Sequence, residues 1–163
     1  MTIFEDDAIA CYEFEACSAE LMSGLPTDWD FMKWGWEFNP YFAWVDLGFM
    51  KAKLEFYDRQ FSGADGAKFQ STKFTYSTFR MAHSFGNHAY SVSPKGARAL
   101  LDYCLPLGRR LVAFPGARVV VDSVGIDTLM CGVYPSMRAF MCCSPMVLQD
   151  VGLPSDRLQA DCA

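Results

Sequence analysis

Three consecutive carboxylates stand almost at the start of the chain, in Thr2-Ile3-Phe4-Glu5-Asp6-Asp7-Ala8. A short apolar run delivers them, a common way to set a divalent cation at the edge of a sheet. In an extended segment side chains alternate, so Glu5 and Asp7 face one side and Asp6 the other. Two hard oxygen donors on one side suit Mg²⁺ or Mn²⁺, ions that keep waters and share a bound phosphate. The same acids also read as the cap of a following helix, whose free N–H groups and dipole favour negative charge. Asp127, after Gly125-Ile126, reads equally as a helix cap or as a general base. Asp28 and Asp30 flank Trp29, and Asp30 reads as a tie for its loop. The two histidines, His83 and His88, are five apart, share no helical face, and read as satisfied structural side chains. With no histidine cluster, serine-nucleophile motif or P-loop, a metal-dependent hydrolase has little support.

The chemistry the totals allow is narrower. The 163 residues are most simply one domain, 1–163, long enough for a real core. Hydrophobic residues make up 52% and aromatics 15%, which excludes a disordered chain. A net charge of −5 argues against a broad grip on nucleic acid. Arg109-Arg110 could still meet one phosphate. No apolar run approaches the ~18–20 residues of a membrane span. Acids at positions 5 to 7 replace the basic start of a signal peptide. Seven cysteines without C-x-x-C spacing argue against a zinc site and against a disulfide framework. They point to a reducing compartment, hence the cytoplasm.

Elements must hold these residues in place. Residues 8 to about 23 read as a helix, with Tyr12, Cys17, Leu21 and Met22 turned inward, Gly24 as its C-cap and Pro26 beyond. Asp30 to Trp34 reads as a buried strand, and about Val45 to Arg59 as a short helix. Ser62 to Gly66 is a loop by composition. The aromatics between residues 36 and 72 read mostly as core, with stacking on a sugar ring as the alternative. Phe74 to Ala82 alternates as a strand, Gly86-Asn87 signals a turn, and His88 to Val92 is extended. Ser93-Pro94 predicts a helix start, with Ala97, Leu100, Leu101 and Cys104 on its inner face. Arg118 to Val121 is a β-branched patch, Asp127 to Val133 a short helix, and Ala139 to Cys143 a last strand.

Four pieces then line up: Phe4-Glu5-Asp6-Asp7-Ala8; Pro26-x-Asp28-Trp29-Asp30 to Gly35; Gly86-Asn87-His88-Ala89-Tyr90-Ser91-Val92-Ser93-Pro94-Lys95-Gly96-Ala97; and Gly125-Ile126-Asp127 through Leu129. Pro145-x-Val147-x-Gln149 and Pro154-Ser155-Asp156 follow. In this order they resemble glycosyltransferase family 25, the lipopolysaccharide-type and collagen-type galactosyltransferases. The resemblance implies an α/β, GT-A-like (Rossmann-like) mixed sheet flanked by helices. It also implies transfer of a hexose, galactose above all, from a UDP-sugar to a hydroxyl of a glycan acceptor, with Mn²⁺ or Mg²⁺. On it Asp7 is the direct metal ligand, with Glu5 beside it. Glu5 and Asp6 orient water, ribose or sugar hydroxyls, His88 approaches the diphosphate, and Asp127 is the catalytic base.

Members of that family carry, before the acidic triplet, strands and helices that hold the nucleotide base. Here the triplet begins at residue 5, so that nucleotide-binding half is expected to be missing. The expected consequences are weak nucleotide binding, an open sheet edge and self-association through it. A non-catalytic fragment, or a glycan-binding or assembly module that keeps the scaffold, is the alternative function. The expected partners are a nucleotide sugar and a glycan, with no nucleic acid and at most a peripheral relation to membranes.

Overall fold

The computed structural model describes residues 1–35, 43–55, 65–114 and 118–150. A seven-stranded mixed sheet organises the chain, with strands β1 (Thr2–Phe4), β3 (Phe31–Gly35), β4 (Trp44–Asp46), β5 (Lys51–Lys53), β6 (Ser77–His83), β7 (Ala89–Val92) and β10 (Ala139–Cys143). Their spatial order is β1-β7-β3-β10-β6-β4-β5. β3 and β10 run parallel, while β7 runs antiparallel to both β1 and β3. β6 is antiparallel to β10 and to β4. It follows that β1, β3, β10 and β4 all point their carboxyl ends toward one edge.

β3 is buried along its whole length because both faces of the sheet are covered. On one face Phe31, Met81, Val92 and Met141 pack under helices α3 (Pro94–Cys104) and α4 (Ile126–Val133). On the other, Met32, Trp34 and Cys142 pack under α1 (Phe14–Ser23) and a small ribbon. That ribbon pairs β2 (Ala8–Ala10) with β11 (Val147–Gln149), and α2 (Gly66–Ser71) inserts Phe69 beside it. β8 (Arg110–Phe114) and β9 (Val119–Ser123) form a separate hairpin packed on α4. The sheet and its helices are the mixed α/β architecture expected.

Several local expectations hold. Ser93 caps α3, its hydroxyl accepting from Gly96 N–H at 3.0 Å, with Pro94 in the first turn. Gly24 caps α1, and Ala139–Cys143 is a strand. Asp30 is a tie: its carboxylate accepts from Arg138 N–H at 2.9 Å and ion-pairs Lys95 at 3.0 Å. Other expectations fail for stated reasons. The helix predicted from residue 8 starts at Phe14, because Ala8 to Ala10 pair in register with Gln149 to Val147. Tyr12 therefore lies outside the helix and is 71% exposed. Where a helix was predicted from Val45, the described residues form a β4–β5 hairpin; positions 56–59 of that prediction lie outside the described residues. Leu101 is exposed rather than inward. Gly86-Asn87 closes no hairpin, since β3 and β10 lie between β6 and β7.

Gly96 lets α3 approach the sheet. A Cβ there would overlap the Asp30 carbonyl oxygen, the acceptor for Ser93 N–H at 3.0 Å. Gly96→Ala must push helix and loop apart, an overpacking cost of about 1–3 kcal/mol. Urea unfolding should show the midpoint lowered accordingly. An unchanged midpoint would mean that α3 can slide freely on the Asp30 loop.

Candidate functional site

The N-terminal end of β7 lies between the carboxyl ends of β1 and β3, so Gly86 to His88 runs across the carboxyl edge of the sheet. Gly35 makes room there: a Cβ on it would stand 2.8 Å from Val147 O and 3.0 Å from His88 Cβ. Glu5 N–H donates to His88 O at 2.9 Å, extending the β1–β7 ladder past Phe4. The Glu5 carboxylate then lies 3.3 Å from His88 Nδ1, and His88 is 7% exposed. A carboxylate at Nδ1 favours the proton there and fixes the ring plane.

A second set of contacts meets the same strip. Asn87 Nδ2 donates to Asp127 Oδ1 and lies 3.4 Å from Met130 Sδ. Asn87 Oδ1 accepts from the hydroxyl of Tyr134 at 3.2 Å, and Tyr134 is fully buried. Lys33, fully buried on β3, donates to Ser84 O at 2.8 Å and stands 5.2 Å from the centre of the Tyr134 ring. Tyr90 joins the two sets. It stacks on Phe31 at 5.1 Å, and its phenol is pushed up by burial and then by the charges of Glu5 and Asp127.

The acidic triplet is not extended beyond Glu5. Asp6 and Asp7 form a turn closed by Ala8 N–H donating to Glu5 O at 3.2 Å. The alternation assumed for Glu5 and Asp7 is thereby lost, because β2 must fold back to meet β11. Glu5 goes to His88, Asp6 is exposed, and Asp7 Oδ2 accepts from Gln149 Nε2 at 2.8 Å. Asp7 O also accepts from Asp150 N–H at 2.7 Å. Asp7 Oδ1 is buried and has no hydrogen-bond partner. A buried carboxylate oxygen with a free lone pair fits one protein ligand to a hard cation whose other ligands are water and phosphate. Among the described residues, no group of three or more His, Cys, Asp or Glu side chains could hold a metal ion. Asp127 sits in the first turn of α4 behind Gly125, and no side chain caps that helix, so the cap reading fails.

No protein-family model, no curated protein and no solved structure matches the chain.

Other candidates are taken up elsewhere. Arg109 is held by Asp122 at 2.8 and 2.9 Å, and Arg110 lies over the Tyr103 ring at 5.3 Å. The six described cysteines are free thiols, and burial pushes Cys131 up to about 11 and Cys143 up to about 12, poor values for a nucleophile. His83 is buried as expected, but neither ring nitrogen has a hydrogen-bond partner. Tyr90, Tyr134 and Lys33 carry no chemical role that local sequence suggests, and Asn87 reads there only as part of a turn. Asn87 and Tyr90 flank His88 in Gly86-Asn87-His88-Ala89-Tyr90, a signal that was present there. Nothing local marks Lys33 or Tyr134. No described helix is long and apolar enough to cross a membrane.

Proposed function

We propose that this chain is a metal-dependent glycosyltransferase of GT-A-like build, moving a hexose, galactose on the family resemblance, from a UDP-sugar to a hydroxyl of a glycan. One observation carries the reading. Glu5 and Asp127, from separate motif pieces, converge on the adjacent residues His88 and Asn87, at the edge where β1 and β3 end. Ligands of α/β sheets favour that edge.

On this reading Asp127 takes the proton of the acceptor hydroxyl as that oxygen bonds the anomeric carbon and the bond to the diphosphate breaks. Asn87, clamped by Tyr134, gives the Asp127 carboxylate a fixed direction, the base-and-orienter arrangement that general-base catalysis needs. His88, oriented by Glu5, would offer its remaining ring nitrogen to the leaving diphosphate. Asp7 would hold Mn²⁺ or Mg²⁺, which supplies neutralising charge to the departing oxygens.

Calorimetry with Mn²⁺ and UDP tests the donor side without needing the acceptor. The wild-type chain is expected to bind UDP weakly with Mn²⁺ present, and Asp7→Ala to weaken that binding further, by about tenfold or more. Equal binding by Asp7→Ala would reduce the triplet to a structural turn. Glycan binding without UDP binding or transfer would favour the glycan-binding or assembly-module alternative.

A further inference from the structure

The β4–β5 hairpin ends in Leu47-Gly48-Phe49-Met50, and this apex is apolar where turns are ordinarily polar. Phe49 is 86% exposed, Met50 50% and Leu47 45%. The turn itself does not need these side chains. Gly48 supplies the positive φ of 87°, Gly48 N–H donates to Asp46 Oδ1 at 2.9 Å, and Leu47 N–H donates to Met50 O at 2.8 Å. Residues that serve a turn are Gly, Asn, Asp, Ser and Pro, each for a backbone reason. Phe49 and Met50 supply none of those, so folding leaves their exposure unexplained.

We propose that this apex is a membrane-docking finger that inserts Leu47, Phe49 and Met50 into the headgroup region of a lipid surface. Three features favour lipid over a protein partner. The apex is convex, whereas anchor residues of protein interfaces fill pockets and sit within a broad patch. Its apolar surface is on the order of 350 Å², less than half of the ~800 Å² per partner that a stable interface buries. Its turn satisfies part of its own backbone hydrogen bonding, which lowers the cost of leaving water. The charge around it also suits an anionic surface. Lys51 follows the apex and is exposed, whereas Arg80 on β6 is half-exposed but ion-paired and adds little. Asp46 at the base is turned to the Gly48 amide and lies 3.9 Å from Arg80. Lys53 is paired with Glu55 at 2.6 Å and adds little.

Topology gives the contact a direction. β4 is parallel to β10, so its apex rises from the same edge as the Glu5–Asp127 site. Four strands intervene between β1 and β4, a lateral separation of roughly 24 Å at ~4.8 Å per strand. A molecule docked by the finger turns its carboxyl edge toward the lipid. The contact itself does not depend on sugar transfer.

Sedimentation with vesicles tests it, with no nucleotide sugar present. The intact chain is mixed with phosphatidylethanolamine–phosphatidylglycerol vesicles and, separately, with phosphatidylcholine vesicles. The wild type is expected to pellet with both and more strongly with the anionic set. Phe49→Asp should lower partitioning by about tenfold or more, and Met50→Ser by less. Lys51→Glu should weaken only the anionic arm. Circular dichroism checks that the variants fold, and with three exposed positions a folding failure at one leaves two. A wild type that stays in the supernatant, or a Phe49→Asp that pellets equally well, overturns the proposal. A concentration-dependent dimer that Phe49→Asp abolishes, without lipid binding, overturns it in favour of a second copy.

Discussion

In a protein that also carries the family's nucleotide-binding half, Asp127→Asn is expected to lower turnover by about 10²–10⁴-fold while leaving the melting temperature and UDP binding near those of the wild type. Asparagine keeps the size of the side chain, and its amide oxygen can accept the same Asn87 Nδ2 donor that Asp127 Oδ1 accepts. It cannot take a proton at neutral pH. Folding should survive because Asp127 makes no capping bond to α4, so the helix start loses only the carboxylate's interaction with the helix dipole, about 0.3–1 kcal/mol. Release of UDP from UDP-galactose reports turnover, and calorimetry with Mn²⁺ and UDP reports the donor side. Asn87→Ala should show a smaller loss of turnover, since it removes the orienting donor and leaves the base. Wild-type turnover in Asp127→Asn would sink the catalytic assignment and leave the Asp127–Asn87–Tyr134 chain as a structural tie. Collapse of the melt instead would mean the carboxylate is needed to hold α4 against Gly86 to His88.

Acid should destabilise the fold through His83. Its ring is buried 5.3 Å from Phe114, with no hydrogen-bond partner for either nitrogen. Burial first, and the Lys51 charge second, push its pKa down from 6.5 to about 4. Above pH ~6.5 the ring is neutral in both folded and unfolded chains, so stability is unaffected there. As the pH falls from ~6.5 towards 4, the unfolded chain takes up the proton and the folded one does not. Stability is therefore lost across that window, by on the order of 3 kcal/mol for this group. Guanidinium unfolding at pH 7 and at pH 4.5 measures the difference. In His83→Leu, an apolar side chain of similar size, the part due to this ring should vanish, and stability at pH 7 should hold or rise because two orphaned nitrogens are gone. The same pH slope in both proteins would place the acid sensitivity in the carboxylates.

The sequence by itself determined what short-range chemistry can encode. Ser93-Pro94 specifies a helix start through one hydroxyl and one fixed φ, and Gly24 ends α1 within a single turn. The short aromatic-rich run from Phe31 is a buried strand, and Asp30 ties the loop before it. The acids Glu5, Asp7 and Asp127 were legible because hard donors stand out in an apolar sequence. Only the tertiary structure decided the rest, and the reason is separation along the chain. Ala8 to Ala10 are extended because Val147 to Gln149 lie beside them, a pairing no local window contains. Three-residue strands such as β4 and β5 are too short for period 2 to be told from period 3.6, so partners settle them. The site follows the same rule. Glu5 meets His88 across 83 positions, and Asn87 meets Asp127 across 40. The triplet's turn, which parts Glu5 from Asp7, exists because β1 and β2 belong to different sheets. Residue type announced the carboxylates, and strand order chose their neighbours.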